Sequence, residues 1–431
     1  MFSVFKNAWK IQDLKKKILF TAFIFAIFRL GCSITVPFLS LNEGIEAAFS
    51  SAAGDGMLTY LNIMSGGALA NATIFSLSIS PYINASIIMQ LLMVAIPPLE
   101  RLMKEDGERG RKIMESWTRY LAVAFSFLLG FGYYTIMKNQ MGVVKDDSVF
   151  AMIVIVFSLA AGATLIMWLG EKINEYGIGN GISMILFAGI IAEIPSMAHT
   201  LWQNNSNNGW KGFVIIGVFV VAILAMVAFV VFVTNGERRI PVQYAKQVKG
   251  RKMYGGQNTN IPLKVNMVGV LPIIFAQSFV MLPATILNFF PGLKDTWFGS
   301  VVDAMSVGGW VYTLLMFLLI IFFSYFYTII SFNPVEVANN LKKNGGFIMG
   351  IRPGKPTADF ITKSLNRITL IGAIFLGLIS AIPNLIAAIF PSLSGVAIGG
   401  TTLLIVVGVA LETVKTLESQ MLMRHYKGFL E

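Results

Sequence analysis

NIMSGGALANATIFSLSISPYINASIIMQLLMVA, residues 62–95, passes from glycine-rich and polar to apolar without ever becoming a plain membrane span. Gly66 and Gly67 weaken any continuous helix, and Pro81 has no backbone N–H to donate. Ser78, Ser80, Asn84, Ser86 and Gln90 scatter polar groups through sequence of membrane character. Lipid does not tolerate irregular, polar backbone at that depth, whereas a protein-lined or water-lined cavity does. The stretch therefore predicts a chain that encloses something inside the membrane.

The remainder of the chain agrees. Of 431 residues, 55% are hydrophobic and 13% charged, and the mean hydropathy is +0.71, which is too apolar for a soluble protein. Apolar runs lie at 18–38, 72–96, 116–137, 149–169, 182–200, 212–234, 267–290, 308–331, 368–390 and 397–416. Each approaches the roughly 20 residues that cross a bilayer. The expectation is an all-α polytopic membrane protein with ten transmembrane helices.

Charge orients it. With the N-terminus in the cytoplasm, 27 of the 33 Lys and Arg fall on the inner side, and only Lys138, Lys145, Lys211 and Lys294 fall outside. Such asymmetry satisfies the positive-inside rule with both termini cytoplasmic. The net charge of +11 then describes a basic inner face more than a nucleic-acid-binding domain. Lys15, Lys16 and Lys17 before an apolar run imitate a secretory signal, but the run is long and has no small-x-small cleavage site, so it reads as an uncleaved first span. The single Cys32 excludes an internal disulfide.

The polar run NNSNNG at 204–209 divides the chain into 1–205 and 206–431, with five runs on each side. An odd number per half reverses the topology of the second half, the arrangement of inverted repeats around a central pathway. Two inner loops, 235–266 and 332–367, are far longer than connections require, and both are basic. They read as platforms for a cytosolic partner.

Several chemistries are excluded. GIRPGK at 350–355 imitates a phosphate loop, but Met349 stands where its first glycine belongs and Pro356 where Ser or Thr would bind the metal. An ion-coupled transporter places an acid or His at the midplane, yet Glu193 and Glu412 sit toward span ends and Arg29 is the clearest mid-span charge. At about 1.5 Å per residue Arg29 lies some 18 Å beyond Lys17, too deep to snorkel, so it must face protein or water. An intramembrane protease would need a base beside a serine such as Ser183, but the two histidines, His199 and His425, lie at a span end and in the tail. No cofactor and no catalytic activity are expected. Bulky aliphatic stripes remain: Ile79, Ile83 and Ile87 at four-residue spacing, and Leu186 with Ile190. On spacing alone such stripes are core more often than pore lining, and spacing does not decide between them.

The chain resembles the SecY family, the central subunit of the bacterial protein-conducting channel. The resemblance rests on IFSLSISPYINASIIMQ at 74–90, WLGEKINEYGIGNGIS at 168–183, IPLKVN at 261–266, NNLKKNGGFIMGIRPGK at 339–355 and GGTTLLIVVGVALET at 399–413. It implies a channel of two inverted five-helix halves, closed by a short plug helix, that passes unfolded secretory polypeptides and releases membrane segments sideways into lipid. By position, the pore ring would be Ile79, Ile83, Leu186, Ile190, Ile274 and Ile405. The plug would run over about 61–72, including Leu61, Gly66, Gly67 and Ala72. The side exit would carry Asn84, Ile87, Gln90, Gln277 and Ser278, and Arg251, Lys252 and Arg352 would dock partners. Those implied partners are the small subunits SecE and SecG, the SecA motor, the ribosome, signal sequences and membrane lipid, in a bacterial plasma membrane. Ser78 departs from the family pattern, which usually has Gly there; Thr35 stands for a frequent Pro and Asn260 for a frequent His. The alternative reading is an inverted-repeat transporter of ions or small solutes.

Overall fold

The computed structural model describes residues 2–39, 56–105, 107–139, 142–206, 209–244, 247–249, 252–254, 258–267, 269–289, 291–305, 309–389 and 400–427. Its helices, in chain order, are α1 Phe2–Lys10, α2 Gln12–Gly31, α3 Gly56–Ser65, α4 Ser80–Ala95, α5 Pro97–Glu105, α6 Gly107–Asn139, α7 Val149–Tyr176, α8 Gly181–Ser206 and α9 Trp210–Thr234. They continue with α10 Leu271–Phe289, α11 Trp297–Ala304, α12 Trp310–Ser331, α13 Pro334–Lys343, α14 Lys355–Ile389 and α15 Gly400–Lys427. Five strands interrupt this order: β1 Glu237–Tyr244, β2 Gln247–Lys249, β3 Lys252–Tyr254, β4 Asn258–Lys264 and β5 Gly346–Ile348.

Each of the ten apolar runs overlaps one helix: α2, α4, α6, α7, α8, α9, α10, α12, α14 and α15. Seven described segments are long and apolar enough to cross a membrane, and α4 and α10 contain shorter apolar helices. The chain is thus a polytopic helical membrane protein. Length corrections follow from local chemistry. The run expected from residue 72 becomes helical only at Ser80, because Ser78 has φ +50°, a left-handed geometry that no α-helix continues through. Pro81 then fits the first turn of α4, where its missing N–H costs nothing. In the opposite direction α14 extends far beyond its apolar run, starting at Lys355 on the inner side.

Packing closes the helices on themselves. α4 lies against α6, α6 against α7 and α7 against α8; α8 meets α15, which meets α14; α14 packs on α12 and α12 on α10. α10 completes the circuit by touching α4 and α6, more sparsely than the other neighbours. Within this circuit residues before and after 205 meet at two seams, a well-packed one at α8–α15 and a thin one where α10 faces α4; outside it α9 packs on α8 and α1 on α15. α3 packs on α8.

The inner loops correct the all-α expectation locally. β1 pairs antiparallel with β4, Ile240 opposite Ile261, and also with β5, Val242 opposite Ile348. The two platforms are consequently one body. Ile240, Val242 and Leu263 from the first share a buried core with Leu341, Ile348 and Ile361 from the second. Alternating apolar positions in ERRIPVQY match the period of a strand with one buried face. Asn333 caps α13 by accepting from the amides of Val335 (3.2 Å) and Glu336 (3.4 Å), with Pro334 next in the first turn.

Candidate functional site

The six aliphatic residues singled out in the sequence are all buried within the helix circuit. Ile79 and Ile83 come from the start of α4, Leu186 and Ile190 from α8, Ile274 from α10 and Ile405 from α15. All belong to one apolar cluster that draws on both sides of the 204–209 boundary. Their exposures run from 0% at Ile405 to 7% at Ile83, so each is packed against other side chains. Ile79 is not on the helix with Ile83. It is the residue before α4, with φ −92° and ψ 4°, yet its side chain still joins the same cluster.

Residues 61–79 divide between this cluster and a second one, in which Leu69, Ala72 and Leu77 pack with Tyr133, Ile155 and Leu159. Met64 and Ala68 are part of the first. Only Leu61–Ser65 of the expected plug is helical, as the last turn of α3; residues 66–72 form turns. The cause is in the backbone: Gly66 (φ +69°), Gly67 (φ +80°) and Ala72 (φ +46°) are all left-handed. Gly66 sits back to back with Gly189 of α8, where an added Cβ would lie 3.1 Å from the Gly189 Cα. The segment's root is stitched to the end of α2, Val36 N–H donating to Ala72 O at 2.9 Å and Ile74 N–H to Ile34 O at 3.0 Å. Phe75 stacks on Phe28, ring centres 5.9 Å apart.

The thin seam holds the polar residues proposed for a side exit. Gln90 accepts from the hydroxyl of Tyr327 on α12 and donates to Ser86 Oγ at 3.0 Å. Gln277, 3% exposed, accepts from Tyr312 O–H at 3.1 Å. Its amide nitrogen is buried without a partner among the described residues. A crevice of about 330 Å³ opens along this seam between Asn84, Ile87, Leu128, Phe275, Ser278 and Phe279. The walls are almost wholly hydrocarbon, and the polar groups stand at its edge.

Among the proposed docking residues Arg352 is exposed after β5, and Thr357 donates to its carbonyl at 2.9 Å, which stiffens the turn. Lys252 pairs in register with Lys249 at the start of β3. Arg251 lies outside the described residues. Arg238, Arg239 and Lys264 are further exposed cations, on the β4–β1–β5 sheet rather than the β2–β3 pair that holds Lys252.

Sequence reasoning missed four participants. Tyr312, Tyr327 and Gly189 were not singled out, and Glu193 was read only as a charge toward a span end. A buried glutamine in an apolar run is a signal that some hydroxyl must reach it, but no local pattern names which one.

A circuit of apolar helices around a buried aliphatic cluster, with an irregular segment packed partly on it and a lined crevice at its side, defines a helical membrane protein built around a central pathway. The SecY family profile matches residues 73–414, and the chain belongs to the SecY family. It is 44% identical, over the whole of both chains, to the protein translocase subunit SecY of Streptomyces galbus. Its fold is similar to a structure described as a protein conducting channel (TM-score 0.65, 16% identity, 94% of this chain and 92% of that one). A second similar structure is described in terms of a SecY plug domain that stabilises the closed state of the translocation channel and maintains a membrane seal (TM-score 0.61, 18% identity, 94% and 92% covered).

Proposed function

We propose that this chain is the pore subunit of a protein-conducting channel of a bacterial plasma membrane, passing unfolded secretory polypeptides across it and releasing membrane segments sideways into lipid. The observation that supports this reading is that Ile79, Ile83, Leu186, Ile190, Ile274 and Ile405, from distant parts of the chain, are all buried in one apolar cluster. An aliphatic collar excludes water and ions when empty, and has no directional bonds with which to retain a passing chain of arbitrary sequence.

In this reading ten spans form two inverted halves, residues 1–205 and 206–431, with both termini cytoplasmic. Residues 61–72 are the plug, whose turns and small side chains suit an element that must leave its seat. The thin seam between α10 and α4 is the side exit, where a hydrophobic signal sequence replaces the contacts of Asn84, Ile87, Gln90, Gln277 and Ser278. The joined inner platforms, with Arg251, Lys252 and Arg352, receive the SecA motor or the ribosome, and SecE and SecG complete the membrane complex. Arginine there suits an acidic protein surface or RNA phosphate.

The test uses a Cys32→Ser background with one cysteine at Ile83 or Ile274, assembled with the small subunits, and a precursor halted midway that carries its own cysteine. Disulfide formation at both positions and not at a lipid-facing control such as Phe232 supports the reading. A folded complex with an active motor and no crosslink would return these isoleucines to plain core and favour the small-solute transporter.

A further inference from the structure

Arg29 is a charge inside an apolar span that the channel reading leaves without a task. It projects from the last turn of α2, and its Nη1 donates to the carbonyl oxygen of Gly66 at 2.7 Å. Gly66 O belongs to a row of carbonyls at the C-terminal end of α3, where a helix has acceptors that its own backbone cannot satisfy and a partial negative charge. Each neighbour in the row is met by a side chain. Met64 O accepts from Ser78 Oγ at 3.2 Å, Ser65 O from Cys32 Sγ at 3.6 Å, and Gly67 O from Asn71 Nδ2 at 2.9 Å.

These four donors differ in kind. Asn71 lies on the same stretch as its acceptor and moves with it, whereas Ser78 lies beyond the root at residues 72–74 and holds Met64 O from the fixed side through a neutral hydroxyl. Cys32 is on α2 but thiols donate weakly. Arg29 is charged, reaches in from α2, and forms the strongest class of bond available to a carbonyl. On the opposite side the segment meets α8 through backbone, Gly66 against Gly189, and through the Glu193 carboxylate against Gly67. Arg29 and Glu193 are both within electrostatic reach of Cys32, so a cation and an anion flank the end of α3.

We infer that Arg29 is the positioning residue that clamps the plug: its guanidinium caps the C-terminal carbonyls of α3 and holds residues 61–72 on the aliphatic ring until a translocating chain displaces them. The inference rests on the plug reading above. The root of the segment, at residues 72–74, stays joined to residues 34–36 by backbone bonds, so breaking the Arg29 contact frees the other end to swing without unthreading the fold. Close glycine contact with α8 adds little interdigitation to resist that departure.

The experiment measures resting ion flux through the complete complex in liposomes for the parent, Arg29→Gln, Arg29→Lys and a deletion of residues 61–72. The deletion and Arg29→Gln are expected to raise flux, the latter by about tenfold for loss of one charged hydrogen bond. Arg29→Lys, which keeps a cationic donor, should stay within about threefold of the parent. Transport of a precursor with an intact signal should persist in all three. A deletion that leaks beside a tight Arg29→Gln would overturn the clamp and leave the plug standing. A deletion that does not leak would remove the plug reading itself and the clamp with it. Should Arg29→Gln fail to assemble, Arg29→Met keeps the helix-packing stem without the donor, and the same flux comparison decides.

Discussion

The hydroxyl of Tyr327 donates to Oε1 of Gln90, 237 residues away in sequence, and so joins α12 to α4 across the thin seam of the helix circuit. The opposite seam is tied by the Thr413 hydroxyl of α15, which lies 3.4 Å from the Met184 sulfur of α8. The difference lies in what surrounds each tie. At α8–α15 it sits within extensive helix packing, while at α4–α10 it borders a crevice. In the reading proposed above, breaking the first should change little and breaking the second should loosen the side exit.

Tyr327→Phe removes that donor while keeping the ring that packs on Phe275 (centroids 4.8 Å apart). Interhelical hydrogen bonds in membranes are worth about 0.6 kcal/mol and at most about 1.7 kcal/mol. Segments of marginal hydrophobicity should accordingly leave sideways roughly threefold more often, read as the insertion midpoint of a graded Leu/Ala series. An unchanged midpoint would mean that the bond does not restrain the exit.

Gln277 and Tyr312 should behave as a unit. Gln277→Leu leaves the Tyr312 hydroxyl buried and unpartnered, costing about 1–3 kcal/mol, whereas Gln277→Leu with Tyr312→Phe removes both polar groups and restores most of that loss. Thermal unfolding of the complex in detergent gives the four corners of the cycle. Additive losses would contradict a coupled pair.

Gly189→Ala places a Cβ 2.8 Å from the Met64 carbonyl oxygen, and backbone on both sides prevents cheap relief. The plug segment should be pushed from its seat and resting ion flux should rise severalfold. Gly217→Ala is the control, since its added methyl meets nothing within 4 Å. In a helix interior it should instead raise stability, by up to about 1 kcal/mol.

Ile83→Asp sets a carboxylate among side chains that admit almost no solvent. A buried, unpaired charge costs several kcal/mol unless water enters or the group is protonated. The expected outcome is a wetted collar: higher resting ion flux at pH 8 than at pH 5, in a complex that still assembles. Equal flux at both values would place this position away from the pathway.

Arg352→Glu reverses an exposed charge on a turn held by Thr357 and Gly354 (φ +102°). A rim charge of this kind acts mainly on association rate and its salt dependence. Motor binding to proteoliposomes should weaken several-fold at low salt, with the difference shrinking as salt screens it. Identical binding curves at every ionic strength would move the docking surface elsewhere.

The departures from family pattern show how far single residues could be read. Ser78 stands where glycine is usual, and its φ of +50° shows why glycine is usual there. Serine tolerates the position with the help of its bond to Met64 O. Gly66 and Gly67 announced a weak helix and both prove left-handed, but only the fold shows Gly189 behind them. ERRIPVQY and NTNIPLK read as loop because each strand is short and its partners lie on two different loops. Ile79 and Ile83 were placed on one helical face; Ile79 precedes the helix and reaches the same cluster by another backbone route.

By itself the sequence determined the lengths and order of the apolar runs, the asymmetry of charge between the loops, and the family. These are properties of single segments, set by transfer of each residue between water and lipid, and they need no partner. Tertiary structure decided which segments meet: that Arg29 ends on Gly66, that Tyr327 finds Gln90, that two basic loops fuse into one sheet, and that isoleucines and a leucine from four distant helices share one buried cluster. Those are pair properties. Apolar helices are nearly interchangeable to lipid, so their neighbours are chosen by close glycine contacts, shape and the few polar atoms that must find a partner, and none of these is written within one segment.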